Sequence, residues 1–168
     1  MRELERWNAK LNLTALSGDE LVRRLVLDPI DIGRKLQMSG TLLDVGSGNG
    51  SPGIPLYLAC GLKRALLVEA RQKRAAFLRH VANMLDGEGI EVHRSRLEDL
   101  ESTVPVDWIS LQAVQPSSKL LTTLRRFSHE TTRVVWITSV DSPPAASALR
   151  LEKEDHGTAA WVFQLDQS

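Results

Sequence analysis

Cysteine is almost missing: Cys60 stands alone in the 168 residues. An intramolecular disulfide is thereby excluded, and with no CxxC and no paired Cys/His spacing the sequence carries no signal for a metal site. His80, His93, His129 and His156 are scattered without ligand spacing and are expected to be surface or structural residues. Long apolar runs are missing too. None approaches the ~20 residues of a membrane-spanning helix, and the charged start MRELERWNAK lacks the apolar centre of a signal peptide. The expectation is a soluble, cytoplasmic protein with no metal and no membrane partner. Net charge is also absent, with 21 Lys plus Arg against 21 Asp plus Glu, so the chain as a whole exerts no pull on nucleic acid. Local basic clusters do exist, at Lys63, Arg64, Arg71, Lys73, Arg74 and Arg79 and again at Arg94 and Arg96. A solvated face is the plain reading of these.

What the chain does have is an ordinary globular composition, 42% hydrophobic and 25% charged, and enough length for one core. A single domain over 1–168 is expected, with a helical part over 1–39 and an α/β core over 40–168. Glycine is concentrated in one place. In TLLDVGSGNGSPGIP, Thr41 to Pro55, the apolar residues Leu42, Leu43 and Val45 flank Asp44, and then Gly46, Gly48 and Gly50 alternate with Ser47 and Asn49. A buried strand ending in a ligand loop accounts for this pattern, since glycine permits positive φ and close approach of the backbone to a bound molecule. Such strands belong to parallel sheets, whose ligands sit beyond the carboxyl ends.

Around that loop, Leu4, Trp7 and Leu11 share one face of a first helix. Ser17 and Glu20 form an S-x-x-E capping box opening a second, through Leu21, Leu25 and Leu27, which Pro29 is expected to kink or end. Strands are expected at Thr41–Val45, Ala65–Val68, Ile90–His93, Val106–Ser110 and Val134–Thr138. Helices fall at Ile54–Cys60, Arg71–Asp86 (Ala75, Leu78, Val81, Ala82 and Leu85 on one face) and Ser117–Phe127. The predicted fold is a mostly parallel, doubly wound α/β sheet with right-handed crossovers. Ala148–Lys153 and Ala160–Leu165, flanking Asp155, His156 and Gly157, are expected to close it as an antiparallel hairpin.

Two nucleotide-type ligands suit a strand, a glycine loop, a helix, a strand and an acid. A dinucleotide wants G-x-G-x-x-G; counted from Gly46 the third position is Ser51, and Asp44 would repel a pyrophosphate. S-adenosylmethionine is cationic near the loop and carries two ribose hydroxyls, which Glu69 at the end of the second strand is placed to accept. A tight turn with no ligand is the third alternative. Arg96, Leu97 and Glu98 follow the third strand at the height of an adenine. Asp107, at the entry of the fourth strand, is either functional or merely solvated.

These residues resemble the glucose-inhibited division protein B family, bacterial enzymes that methylate N7 of a guanine in 16S ribosomal RNA. The resemblance rests on Trp7-Asn8 with Asn12-Leu13-Thr14, Leu27-Asp28, LLDVGSGNGSPGIP, LLVEARQKRAAFLRHV, SRLED and Asp107 through Ala113-Val114. It implies a class I S-adenosylmethionine-dependent methyltransferase of Rossmann-like fold, preceded by short N-terminal helices. It carries cofactor contacts over to Gly46, Ser51, Leu97, Glu98 and the position of Gln112, with Glu69 as the ribose acid. Asp44, Ser47, Gly48 and Gly50 complete the expected cofactor set.

The chain departs from the family where it has Leu25 for a histidine, Gln112 for an arginine, Thr138 for a lysine and Ala159 near an arginine. It also starts shortly before Trp7, so the longer N-terminal helices that the resemblance implies are either absent or lie outside the sequence given. The losses fall on the RNA-facing side, so binding to small-subunit ribosomal RNA or the ribosomal particle is expected to be weakened. Methylation at N7 needs no base, because the nitrogen has a free lone pair; alignment and exclusion of water suffice. Asn12, Asp28 and Arg96 are the candidates for positioning the substrate. The expected working unit is a monomer. The alternatives are an enzyme of the same fold with a small-molecule or other RNA substrate, and a cofactor-binding protein with a decayed substrate face.

Overall fold

The computed structural model describes residues 2–101, 104–115, 117–138, 149–151 and 159–165. The turn expected at Asp155, His156 and Gly157 lies outside the described residues.

Strands buried on both faces build the centre. β1 (Gly40–Val45) and β2 (Leu62–Val68) are parallel neighbours, joined by α4 (Gly53–Ala59). α5 (Gln72–Met84) leads to β3 (Ile90–His93), which pairs with β2. β4 (Trp108–Gln112) lies on the other side of β1, and α6 (Ser118–Leu124) leads to β5 (Arg133–Thr138). β6 (Leu149–Leu151) and β7 (Ala159–Gln164) are antiparallel, with β7 inserted beside β5. The order is β3-β2-β1-β4-β5-β7-β6, a mostly parallel sheet closed by the expected antiparallel pair.

Side chains two apart along a strand face the same way, and the two faces hold separate cores. Leu42, Ala65, Leu67, Val135 and Ile137 pack with Phe77 and Leu78 of α5, Leu56 of α4 and Leu4 near the N-terminus. Leu43, Leu66, Ile109, Leu111 and Trp136 pack with Leu124, Phe127, Leu97 and Leu100 on the opposite face.

The N-terminal helices join the first core. In α1 (Arg2–Leu11) Leu4 is buried, and Trp7 stacks at 5.6 Å on Phe77 and 5.5 Å on His80, whose Nε2 is 3.0 Å from Glu3 Oε2. Asn12 ends the helix with φ +48°, a conformation asparagine tolerates as a helix stop.

Four expectations need correction. Ser17 does precede α2 (Gly18–Val22), but its side chain makes no capping bond; Gly18, at φ +54°, turns the chain there and the reciprocal box does not form. Pro29 does not end the helix. A π turn over Arg23–Leu27, in which Asp28 N–H donates to the Arg23 carbonyl, accommodates the ring, and α3 (Asp28–Lys35) carries Pro29 in its first turn. Leu85 keeps to the expected side, lining an apolar cavity with Phe77 and Val81, but it is not buried: just past the end of α5 it is 39% exposed. The fourth strand begins at Trp108 and runs to Gln112, two residues on from the expected Val106–Ser110. Val106 N–H instead bonds to Phe127 O, and Asp107 N–H to Thr41 O, while the Asp107 carboxylate accepts Thr41 N–H at 2.7 Å. Asp107 therefore ties the start of β1 to the chain entering β4. Among the described residues no helix is long and apolar enough to cross a membrane.

Candidate functional site

Successive strands are added to one side of β1 through β2 and β3, and to the other through β4 and β5. The crevice between the carboxyl ends of β1 and β4 is the switch point at which such sheets bind ligands. The chain leaves β1 through Gly46, φ +73°, and Gly48, φ +45°, both in the region that L side chains rarely adopt. Gly46 and Ser47 donate back to the Val68 carbonyl at 2.9 and 3.1 Å, and Gly48 N–H donates to Glu69 Oε2 at 3.1 Å. Glu69 Oε1 accepts Arg71 N–H at 2.7 Å. The acid at the end of β2 thus braces the loop from behind, and each oxygen keeps a further lone pair.

Beneath the loop Asp44 is fully buried. Its register partner on β4 is Ser110, whose hydroxyl donates to Oδ1 at 2.7 Å. Oδ2 has no hydrogen bond of proper geometry; the Gly53 backbone lies against it and gives partial relief. Burial raises the Asp44 pKa to about 6, opposed by the Ser110 and Ser47 hydroxyls and reinforced by the Glu69 charge.

The third glycine of the fingerprint is Gly53. Counting from Gly48 gives Gly48, Gly50, Gly53, so Ser51 is not the vacant position that counting from Gly46 makes it. A Cβ on Gly53 would fall 2.6 Å from Leu67 Cδ2 and 2.7 Å from Asp44 Oδ2. This is the close helix-to-strand approach for which that position requires glycine.

Above the loop lies a cavity of about 300 Å3, at the small end of the ~300–1,000 Å3 typical of ligand sites. Gly46, Ser47, Gly48, Ser51 and Gln112 of the expected cofactor set line it together; Asp44, Gly50, Glu69, Leu97 and Glu98 are not among its lining residues. Ser51 Oγ donates to Gln112 Oε1 at 2.8 Å, bridging the loop to β4. Ala113, also on the cavity wall, has φ +55°, the kind of locally costly backbone that collects at functional sites. Gly50 faces away, into a second, apolar cavity. Leu97 is buried and Glu98 exposed in a 3-10 turn, Leu97–Asp99, after β3.

The three positioning candidates are not brought together. Asn12 is exposed as a helix stop, and Asp28 lines a separate cavity with Asp19, Glu20 and Asp31. Arg96 is exposed at the start of the Leu97–Asp99 turn. Thr14, Arg24 and Arg74 also line the loop cavity. Arg74 was visible only as part of a basic run, and its spacing carries no sign of where α5 aims it.

A family model described as rRNA small subunit methyltransferase G matches residues 1–143. The chain belongs to that family. It is 38% identical over 124 residues to the ribosomal RNA small subunit methyltransferase G of Desulfotalea psychrophila, covering 71% of this chain and 57% of that protein. With the Helicobacter pylori member the identity is 35% over 126 residues, covering 75% and 71%. The chain thus spans little more than half the length of the first of these methyltransferase G relatives. Two solved structures share the fold. One is a SAM dependent methyltransferase from Aquifex aeolicus, with TM-score 0.68, 17% identity and 90% and 95% of the two chains covered. The other is an RNA methyltransferase from Salinibacter ruber in complex with S-adenosyl-L-homocysteine, at 0.64, 18%, and 83% and 91%.

Proposed function

We propose that this chain is an S-adenosylmethionine-dependent methyltransferase that modifies N7 of a guanine in small-subunit ribosomal RNA, acting as a monomer in the cytoplasm. The observation that carries the reading is the meeting at one switch point of the positive-φ glycines 46 and 48, the Glu69 carboxylate and the cavity closed by Gln112 and Ala113.

The residues fit this cofactor. Glu69 holds the loop with one lone pair on each oxygen and offers the rest to ribose hydroxyls. Buried Asp44 supplies negative potential under the loop, which favours a cation above it and disfavours a pyrophosphate. Leu97 and Glu98 contact the adenine, and Ser51 with Gln112 forms the wall toward the acceptor. Once bound, the cofactor supplies an electrophilic methyl group on a sulfonium. The protein's own part is to align the guanine and exclude water, since N7 needs no deprotonation. Arg96, exposed beside the adenine turn, is placed to meet a phosphate of the RNA.

A second reading, cofactor binding without RNA methylation, is favoured by Leu25, buried at 6%, and by the neutral Gln112. One experiment separates them: calorimetry with S-adenosylmethionine, followed by transfer of labelled methyl to small-subunit particles lacking the modification. Micromolar binding with label at guanine N7 is expected. Binding without label on RNA selects the second reading, and no binding at millimolar ligand removes both.

A further inference from the structure

The Leu97–Asp99 turn is a weak structure by itself. Its backbone bonds, Asp99 N–H to Arg96 O and Leu100 N–H to Leu97 O, are each 3.2 Å long, and 3-10 geometry is poor. Leu97 and Leu100 anchor it in the core shared with Phe127. A third tie comes from distant sequence. Arg126 lies in the 3-10 turn Arg125–Phe127 that follows α6. Its Nη1 donates to the Glu98 carbonyl at 2.9 Å and its Nη2 to the Leu100 carbonyl at 3.1 Å. The guanidinium also sits 5.5 Å from the Phe127 ring centroid. A planar fork with fixed donors suits two carbonyls on either side of one residue, and a lysine ammonium cannot reproduce it.

We propose that Arg126 is a positioning residue for recognition of the base: by holding the Glu98 and Leu100 carbonyls it fixes the Leu97–Asp99 turn in the shape that selects adenine over other purines. The proposal rests on Leu97 and Glu98 being the adenine contacts. Arg126 itself does not touch the ligand. Adenine presents a 6-amino donor beside an N1 acceptor, and hypoxanthine presents the reverse pair. A site rejects the reversed pair only if its own polar groups are held in place, because a turn free to move escapes the cost of an unmatched group.

The test compares S-adenosyl-L-homocysteine with S-inosyl-L-homocysteine by calorimetry, in the wild type and in Arg126→Gln and Arg126→Lys, with hydrogen exchange followed at the Asp99 and Leu100 amides. Lys119→Ala, whose Nζ is 4.0 Å from Glu98 Oε1 on an exposed side chain, is the control. The wild type should prefer the adenine ligand. Arg126→Gln should lower that preference about tenfold, the scale of a charge-assisted bond, with faster exchange at both amides; Arg126→Lys should lower it in the same direction, and Lys119→Ala should leave it unchanged. If both ligands weaken equally, or the melting temperature drops while the preference stays, Arg126 is only a structural prop and the proposal falls. Should Arg126→Gln fail to fold, Arg126→Lys decides alone. A wild type that binds neither ligand overturns the cofactor reading itself, and this proposal with it.

Discussion

Over β1 and β2 the carboxyl edge of the sheet is bonded into its own strands: Gly46 and Ser47 donate to the Val68 carbonyl, and Gly48 to Glu69. Over β4 the loop is joined by the hydroxyl-to-amide bridge from Ser51 to Gln112, and the cavity wall there carries the neutral side chains Leu25 and Gln112. The braced half can hold a ligand without rearranging, and preorganisation of that kind is what cofactor affinity needs. Cations drive RNA affinity; at this cavity they are Arg24 and Arg74, while Gln112 at the end of β4 is neutral. Under the proposed function, mutations in the two halves should affect cofactor binding and RNA binding separately.

The largest effect is expected from Asp44. Its pKa is raised from 3.8 to about 6 in the folded protein. Folding thus favours the protonated carboxyl relative to the unfolded chain; the resulting stability is complete below the unfolded pKa and is lost as pH rises through about 6, above which the native group is ionised. By pH 7 the ionised group costs up to roughly 3 kcal/mol. Asp44→Asn should raise the melting temperature at pH 7 to 8 and flatten its decline between pH 4 and 6. It should also weaken S-adenosylmethionine, by removing charge from under the loop. A variant with unchanged pH dependence would mean that Asp44 is not the titrating group.

Glu69→Ala comes next. It deletes the acceptor of Gly48 and Arg71 as well as the proposed ribose contact, and charged hydrogen bonds are worth about 1.5–3 kcal/mol. A loss of roughly 10- to 100-fold in cofactor affinity is expected by calorimetry. Full retention would place the ribose elsewhere.

Much of this braced half was legible in the sequence, because local patterns encode it. The apolar run Leu42, Leu43 and Val45 around Asp44, the glycines after it and the acid at the next strand's end all lie within one strand-loop-helix-strand unit. β3 spans the expected residues, Ile90–His93. What escaped depends on geometry that no local pattern records. Pro29 reads as a breaker because the π turn ahead of it has no sequence signature. Arg126 reads as one cation in a basic pair, and its carbonyl partners are 26 and 28 residues away. Ser110 reads as a strand residue until β4 is set beside β1 in register with Asp44. Gly53 was in plain view, concealed only by counting from Gly46.

Gly53→Ala measures that close approach. Alanine would gain up to about 1 kcal/mol of helix propensity, against overpacking of roughly 1–3 kcal/mol where its Cβ meets Leu67 and Asp44. Net destabilisation of about 1–2 kcal/mol is expected in denaturant unfolding. A more stable variant would show that α4 can lift away from the strands and that the third glycine is dispensable.

Gln112→Arg should perturb the cofactor half least and so sharpens the comparison most. Arginine has donors only, so it cannot accept from Ser51 as Gln112 Oε1 does at 2.8 Å. The serine hydroxyl can reverse and accept instead, which keeps the bridge. Cofactor affinity should then change by less than about threefold, under 1 kcal/mol. The added cation should strengthen binding to small-subunit RNA and steepen its salt dependence by about one phosphate contact. If cofactor affinity collapses while the RNA salt slope stays fixed, the loop and β4 are one unit, and the two halves of this edge are not independent.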